Sequence, residues 1–100
     1  MAGKEKVGVT VLEEKHMIAI LTFLAARGPS RKIDIYDGVS SNPRMPDKLN
    51  LLEEMGLVTQ ELDTVTRSTI VSLTEGGANV ARLLVNVDDI IKSMNRARAG

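Results

Sequence analysis

The sequence has no cysteine and no tryptophan, and it has one tyrosine and one phenylalanine among its 100 residues. The absence of cysteine excludes disulfides, thiolate nucleophiles and thiolate metal ligands together. With so few rings, aromatic platforms for stacking single-stranded bases are nearly absent, and the core must be aliphatic. No apolar run approaches the roughly 20 residues that a membrane-spanning helix needs.

Neither positive nor negative charge is in excess. The formal net charge is zero, with 13 basic and 13 acidic residues, so the composition indicates neither nucleic acid nor a membrane as partner. The opening MAGKEKVGVT lacks the apolar segment of a secretory signal, and we expect a soluble, cytoplasmic protein. The length predicts one domain, assigned to residues 1–96, with a flexible tail at 97–100.

Residues suited to catalysis or metal binding are sparse. His16 is the one histidine, and without a second histidine or a cysteine it cannot build a zinc site. Three adjacent acidic pairs, at residues 13–14, 53–54 and 88–89, are poor candidates for paired acid–base catalysis, because the members of each pair point in different directions around a helix. The EGG segment lacks the residues that complete a phosphate-binding loop. The sequence therefore predicts a protein that is not an enzyme, with no cofactor and no metal.

The first helix is predicted within VLEEKHMIAILTFLAARG. Thr10 and Glu13 form a possible capping box at its start, and Gly28 and the following proline end it. Its apolar residues recur at helical spacing: Met17, Ile20, Leu21 and Leu24. Before it, alternating valines at positions 7, 9 and 11 suit a short strand or a straight arm, and equally a disordered segment.

Two further helices follow. Ser30 suits the N-cap of a short second helix that ends near Gly38, with Ile33 and Tyr36 facing inward. The third helix starts in the segment PRMP, because proline is tolerated in a first helical turn. Its apolar edge consists of Met45, Leu49, Leu52 and Met55. Gly56 then ends the helix with a left-handed C-cap.

The remainder predicts a hairpin and a last helix. Residues 57–62 and 69–73 are rich in Val, Ile, Thr and Leu and predict two strands, joined by the polar loop DTVTRS. Thr74 is a suitable N-cap for the last helix, and Glu75 is favourably placed in its first turn. The predicted order is helix, helix, helix, hairpin, helix, a mainly α fold with a two-stranded wing.

Three stretches carry a resemblance to a known family: IAILTFLAARG, MPDKLNLLEEMGLV and VSLTEGGANVARLL. In this order the chain resembles the winged helix-turn-helix regulators of prokaryotic transcription, broadly of the MarR, ArsR and PadR kind. The resemblance implies a winged-helix fold, binding to double-stranded DNA, and a third helix that approaches base edges. Metal-sensing relatives of the ArsR kind would require cysteine or clustered histidine, which this chain lacks.

The resemblance assigns a DNA-binding set to the third helix, the segment before it and the wing tip. The set consists of Ser41, Asn42, Arg44, Asp47, Lys48, Asn50 and Arg67. Arg44 and Lys48 could contact bases or phosphates, and the alternative is a solvated helix face. Asp47 could accept a hydrogen bond from cytosine or merely repel phosphate. From Arg27 to Arg67, six basic residues stand against seven acidic ones, which gives DNA little general attraction.

The last helix carries an apolar stripe longer than a small domain can cover. Its core positions, Val80, Leu83, Val87, Ile90 and Met94, follow a 3, 4, 3, 4 rhythm. We expect the body to bury the first half and a partner surface to cover the second. The predicted dimer interface, within a dimerisation helix at about 74–96, consists of Leu83, Leu84, Val87, Ile90, Ile91 and Met94.

Two functions are compatible with these features. The first is a sequence-specific DNA-binding transcriptional regulator that acts as a homodimer, favoured by the helix order, the wing and the apolar stripe. The alternative is a winged-helix module that binds another protein in a transcription or replication assembly, without direct base readout. The neutral charge and Asp47 favour the alternative.

Overall fold

The structure, a computed structural model, describes residues 8–99, with the side chains of residues 8–96. The described residues form four α-helices, three strands and one 3-10 helix, in the predicted winged-helix arrangement. The helices are α1 (Met17–Arg27), α2 (Lys32–Gly38), α3 (Met45–Glu54) and α4 (Glu75–Ala99). The strands are β1 (Ser30–Arg31), β2 (Val58–Asp63) and β3 (Ser68–Leu73), and the 3-10 helix spans Gly8–Glu13. The prediction of a mainly α fold with a wing is confirmed.

The predicted hairpin is present and gains a third strand. β2 and β3 pair antiparallel, with Val58 opposite Leu73 and Asp63 opposite Ser68. The short strand β1 adds to the other edge of β3, where Ser30 lies opposite Val71. A two-residue strand has no periodicity of its own, so the sequence pattern could not predict it.

The start of α2 corrects the prediction that Ser30 is its N-cap. Ser30 is buried in β1 and its Oγ donates to the carbonyl oxygen of Gly28 at 2.9 Å. The helix begins two residues later, and Asp34 accepts a hydrogen bond from the backbone N–H of Arg31 at 3.2 Å. The helix starts after Arg31 and not after Ser30, because the backbone of Ser30 pairs with β3.

The inward face of α2 is also shifted from the prediction. Ile33, predicted to face inward, is 56% exposed, whereas Ile35 is fully buried. Tyr36 packs against the core as predicted, while partly exposed. Isoleucines at 33 and 35 lie on different faces of so short a helix, so periodicity could not decide between them.

The segment before α1 differs from both readings of the valine pattern. Residues 8–13 form a 3-10 helix whose Val11 is buried in the core, and not a strand or an arm. α1 begins at Met17 after His16, which adopts a left-handed conformation with φ 73°. Thr10 and Glu13 therefore do not cap α1, because burial of Val11 redirects the chain before the helix starts. Val7 lies outside the described residues.

The core is aliphatic, as expected from the composition. Its buried members come from every layer of the fold: Val11, Met17, Ile20, Leu21, Leu24, Ile35, Met45, Leu49, Leu52, Val58, Val71 and Ala81. The predicted inward edge of α3 is confirmed at Met45, Leu49 and Leu52. This packing fixes α3 with its opposite side toward solvent.

The corner between α3 and β2 has the predicted geometry. Gly56 has φ 80°, the left-handed region that disfavours side chains. The N–H of Gly56 donates to the carbonyl of Glu53 at 2.9 Å, and the N–H of Leu57 donates to that of Leu52 at 3.0 Å. These two bonds are a Schellman motif, which satisfies carbonyls of the last helical turn. β2 begins at Val58, directly after this cap.

Candidate nucleic-acid interface

The turn before α3 is built by Asn42. Its Oδ1 accepts a hydrogen bond from the N–H of Arg44 at 2.8 Å, and its backbone N–H donates to Ser40 Oγ at 3.1 Å. The carbonyl oxygen of Asn42 accepts from Met45 N–H at 2.9 Å. Asn42 thus organises the entry to the helix, a role that the sequence did not indicate. Ser41, beside it, is exposed.

The solvent side of α3 presents polar residues at helical spacing. Arg44, Asp47 and Asn50 are exposed and recur every three residues, which places them on one side of the helix. Pro46 lies in the first turn, as predicted from the tolerance of proline there. The guanidinium of Arg44 and the carboxylate of Asp47 are therefore brought together on a surface that a duplex could approach.

Lys48 lies beside that surface and is much less exposed than Arg44 and Asp47. Its side chain is 12% exposed, and its Nζ is 3.9 Å from Glu14 Oε1, in the segment that precedes α1. The two residues line a shallow pocket of about 150 Å³ together with Arg44, Asp47 and Leu51. For Lys48 to reach DNA, phosphate must replace Glu14 as its anionic neighbour.

Asn50 is joined to the wing. Gln60 of β2 donates from Nε2 to Asn50 Oδ1 at 2.9 Å and to Glu53 Oε1 at 2.8 Å. The backbone N–H of Gln60 donates to Glu53 Oε2 at 3.3 Å. These bonds hold β2 against α3, so the wing and the helix keep a fixed relation. Sequence reasoning missed Gln60 and Glu53, because no local pattern relates polar residues on different elements.

The wing tip is a tight turn organised by Asp63. Its carboxylate accepts hydrogen bonds from Val65 N–H and Thr66 Oγ1, each at 3.0 Å. The bond from the Val65 backbone, followed by that from the Thr66 hydroxyl, lowers the pKa of Asp63. Arg67 has a left-handed φ of 62°, and its N–H donates to the Asp63 carbonyl at 2.7 Å. Arg67 is exposed at the predicted wing position.

A second groove lies between the start of α2 and β3. Its volume is about 450 Å³, and its lining consists of Arg31, Lys32, Ile33, Tyr36, Ser68 and Thr69. Arg31 Nη2 lies 2.9 Å from Asp34 Oδ1, and the hydrogen bond from the Arg31 side chain lowers the pKa of Asp34. The groove was not predicted, because β1 brings residue 31 beside β3.

The apolar stripe of α4 is exposed over more of its length than expected. Five of its side chains are between 51 and 60% exposed: Leu83, Val87, Ile90, Ile91 and Met94. The expectation that the body buries the first half is wrong at Leu83. The face of α4 toward the body instead carries Gly77 and Ala81, with Val80 and Leu84 partly buried. Gly77 and Ala81 lie at a different angle around the helix from the stripe, and Val80 and Leu84 lie along the edge between the two faces.

The apolar surface continues from α4 onto the amino-terminal segment. Leu84 lines a groove of about 330 Å³ with Val9, Thr10, Leu12, Glu13 and Ile18. Val9 and Ile18 are both exposed. Leu84, at the edge of the stripe, therefore connects the stripe to this groove.

Neither a metal site nor a membrane span is found in residues 8–99. No group of three His, Cys, Asp or Glu side chains in this part of the chain could hold a metal ion. No helix among the same residues is long and apolar enough to cross a membrane.

Comparison with known proteins gives matches in structure and none in sequence. No family model and no curated protein matches the chain. Reduced AbfR bound to DNA is similar with a TM-score of 0.63 and 18% identity, over 90% of this chain and 77% of AbfR. ZitR from Lactococcus lactis, in an apo mutant form, gives 0.73 and 23%, over 83% of this chain and 64% of ZitR.

A third similar structure is MepR, a transcription regulator of the multidrug efflux pump MepA in Staphylococcus aureus. Its TM-score is 0.71 and its identity 18%, over 84% of this chain and 64% of MepR. The chain thus spans less than two thirds of the length of ZitR and of MepR. None of the three is named as an enzyme. At these identities the likeness establishes the fold, and the chain has the winged-helix fold of these proteins.

Proposed function

We propose that this protein is a cytoplasmic, sequence-specific DNA-binding transcription regulator of the MarR, ArsR or PadR kind, acting as a homodimer. The observation that carries the proposal is the polar outer side of α3, held by Gln60 beside a wing that ends in Arg67. A helix and a β-hairpin fixed in this way can read a major groove and touch the adjacent backbone together. The fold shared with DNA-bound AbfR supports the same use of the surface.

The exposed residues of α3 and the wing receive different roles. Arg44 reads a base edge, since its guanidinium can bridge the O6 and N7 of guanine. Arg67 contacts phosphate at the wing tip and supplies affinity without sequence preference. Lys48 adds a phosphate contact when DNA displaces Glu14. Ser41 and Asn42 lie near the backbone at the helix entry.

Asp47 and Asn50 complete the proposed surface. Asp47 accepts a hydrogen bond from the N4 amine of cytosine or repels phosphate, and the two roles have opposite effects on affinity. Asn50 Oδ1 is bound to Gln60, so this residue contributes to DNA binding chiefly by holding the wing. The order of importance for base readout is therefore Arg44 first and Asp47 second.

The homodimer is proposed from the exposed stripe of α4. Five large apolar side chains on one helix, continued by Val9 and Ile18, form a patch of the kind that monomers rarely leave in water. A second copy covers this patch through a two-fold interface, in which the same residues serve both chains. We assign α4 as the dimerisation helix of a single domain.

Selection of bound duplexes from a random pool, at about 100 mM salt, tests the proposal, because affinity for DNA has meaning only at stated salt. We expect enrichment of a two-fold symmetric motif with half-sites one helical turn apart, on the order of 34 Å, or a multiple of it. A pool that shows no enrichment, with no duplex bound even at about 50 mM salt, overturns the proposal.

A protein-binding module is the second candidate function, and a feature of the wing favours it. Val65 is 88% exposed at the tip and Leu62 is exposed behind it, beside few basic residues. Apolar groups at this position suit a protein surface better than phosphate. Pull-down with immobilised protein, compared between wild type and Val65→Ser, would detect such a partner, while duplex binding would be absent from both.

A further inference from the structure

The end of α3 and the start of α4 are joined by one threonine. Thr74 Oγ1 donates to the carbonyl of Gly56 at 2.6 Å, and Thr74 N–H donates to the carbonyl of Leu57 at 3.1 Å. The same hydroxyl accepts a hydrogen bond from Gly77 N–H at 2.9 Å, which confirms Thr74 as the N-cap of α4. One hydroxyl therefore caps α4 and binds the C-cap of α3 at once.

Gly77 brings the start of α4 into direct contact with the backbone that follows α3. It is buried in the first turn of α4, and a Cβ at this position would overlap the carbonyl oxygen of Leu57. At Gly76, by comparison, the nearest atom to an added Cβ is Thr74 Oγ1, at an ordinary 3.9 Å. A side chain at position 77 would therefore push α4 away from Leu57, whereas position 76 has room for a side chain.

The partners of Thr74 and Gly77 belong to the C-terminal cap of α3. Gly56 and Leu57 form the Schellman cap, in which their N–H groups bind the last turn of the helix. The connection from α3 to α4 therefore passes through backbone atoms and one hydroxyl, without long flexible side chains. A change in the angle of α4 must break this contact or move the end of α3.

We propose that Thr74 and Gly77 are positioning residues that set the separation of the two α3 helices in the dimer, an inference that rests on the homodimeric DNA-binding function proposed above. The contact with Leu57 fixes the direction of α4 relative to α3. Because α4 carries the dimer stripe, its direction determines where the second α3 lies. Thr74 and Gly77 therefore select the spacing of half-sites without touching DNA.

The length of α4 makes this control effective. From Gly77 to Ile90, near the middle of the stripe, the helix extends about 20 Å at 1.5 Å per residue. A tilt of about 10° at Gly77 moves Ile90 by roughly 3.4 Å at this lever length. That displacement matches the rise of about one base pair, since a turn of about 10 pairs spans about 34 Å. Because both chains of a two-fold dimer tilt alike, this small change at the contact alters the separation of the two α3 helices by the length of about one to two base pairs.

Distances between the two α3 helices test the inference without DNA. The chain has no native cysteine, so Asp47→Cys supplies one spin-label site on each α3 of a dimer. We expect a narrow distance distribution in the labelled protein and a broadened or shifted one when Thr74→Val is added. Thr74→Ser, which retains the hydroxyl, should restore the narrow distribution.

A matched control removes a threonine hydroxyl elsewhere. Thr22 Oγ1 binds the carbonyls of Ile18 and Ala19 within α1, so Thr22→Val loses a hydroxyl but no contact between helices. This variant should keep the narrow distribution. An unchanged distribution for Thr74→Val, in a folded dimer, overturns the inference.

Duplexes whose half-sites are moved apart in single base-pair steps give the second test. The wild type should favour one spacing, and Thr74→Val should reduce that preference by about three- to tenfold, the ratio that corresponds to the loss of the one hydrogen bond from the hydroxyl to the cap of α3. Affinity for an isolated half-site should not change. Gly77→Ala should shift the preferred spacing, whereas Gly76→Ala should leave it in place.

The outcomes separate the inference from the function on which it rests. If the wild type is monomeric or binds no duplex, the proposed function fails and this inference fails with it. If the wild type binds as a dimer while Thr74→Val and Gly77→Ala keep its spacing preference, the inference alone fails. Should Gly77→Ala not fold, because its Cβ overlaps a backbone atom, the comparison of Thr74→Val with Thr74→Ser decides the matter.

Discussion

The outer face of α3 and the exposed stripe of α4 lie on the same small domain and differ in what they can bind. α3 buries Met45, Leu49 and Leu52 and presents Arg44 and Asp47 to solvent. α4 presents Ile90, Ile91 and Met94 instead, each more than half exposed. Binding to the polar face is stabilised by contact with a charged, hydrated partner, whereas binding to the apolar stripe is stabilised by the exclusion of water. The difference suits two partners of different chemistry, which are the DNA proposed for α3 and the second chain proposed for α4.

Replacing Ile90 and Ile91 with glutamate should have the largest effect on this comparison, because it gives the stripe the character of the polar face. Four charges would lie in the seam of the proposed dimer, at a cost of several kcal/mol (about 3–5). Sedimentation should then report a monomer. Ala78→Glu with Asn95→Glu, which adds the same charge at exposed positions of α4 outside the stripe, should leave the dimer intact. A wild type that is already monomeric at micromolar concentration contradicts the hypothesis.

Removing the polar groups of α3 tests the other side. Arg44→Ala should relax base preference at one position of each half-site, at a cost of roughly 1–3 kcal/mol against the preferred base. Asp47→Ala should lower specificity if Asp47 accepts a hydrogen bond from cytosine, and should raise affinity uniformly if Asp47 repels phosphate. Duplex titrations against single-base variants distinguish these results. Arg82→Ala, on α4, is the control. If it lowers base preference as much as Arg44→Ala does, Arg44 does not read a base.

The corner at Gly56 holds α3 in place whatever it binds. Gly56→Val should lower the free energy of unfolding by roughly 1–2 kcal/mol, because a β-branched residue is poorly tolerated at positive φ. No atom lies within 4 Å of an added Cβ, so the cost is conformational and not a clash. Gly56→Asn should retain more stability, since asparagine adopts this conformation more readily. Equal melting temperatures for Val and Asn variants would argue against this account.

Arg67→Ala should have the smallest effect on DNA binding, and it should weaken binding to all sequences equally. Loss of one phosphate contact should lower the magnitude of the salt slope by about 1 per contact while base preference stays the same. Arg67→Lys should keep most of the slope, because the charge remains. A changed base preference in Arg67→Ala would instead assign the wing to groove reading.

Features with a local chemical cause were predictable from the sequence. Proline in the first turn of α3, glycine at its C-cap and threonine at the start of α4 each act within a few residues, and all three were confirmed. The apolar edge of α3 was predicted for the same reason, since its spacing matches one helical face.

Features that depend on distant residues were not predictable in this way. β1 exists because β3 offers an edge for Ser30, and the 3-10 helix exists because the core accepts Val11. The bonds of Gln60 to Asn50 and Glu53 join two elements whose relative position periodicity does not describe. At the candidate interface the residue types could therefore be predicted, but not which of them are already bound to other side chains.

The pairing of β1 with β3 also has a consequence for the order of folding. Ser30 follows α1 directly, yet its partner Val71 is synthesised only after α2, α3 and β2. Contacts between residues so far apart in the chain form late, because the entropy of closing the intervening loop must be overcome first. As the chain leaves the ribosome, α1, α2 and α3 can therefore associate while the backbone of residues 30 and 31 still lacks its strand partner. The pairing of β1 with β3, which completes the sheet, is therefore expected among the last steps of folding.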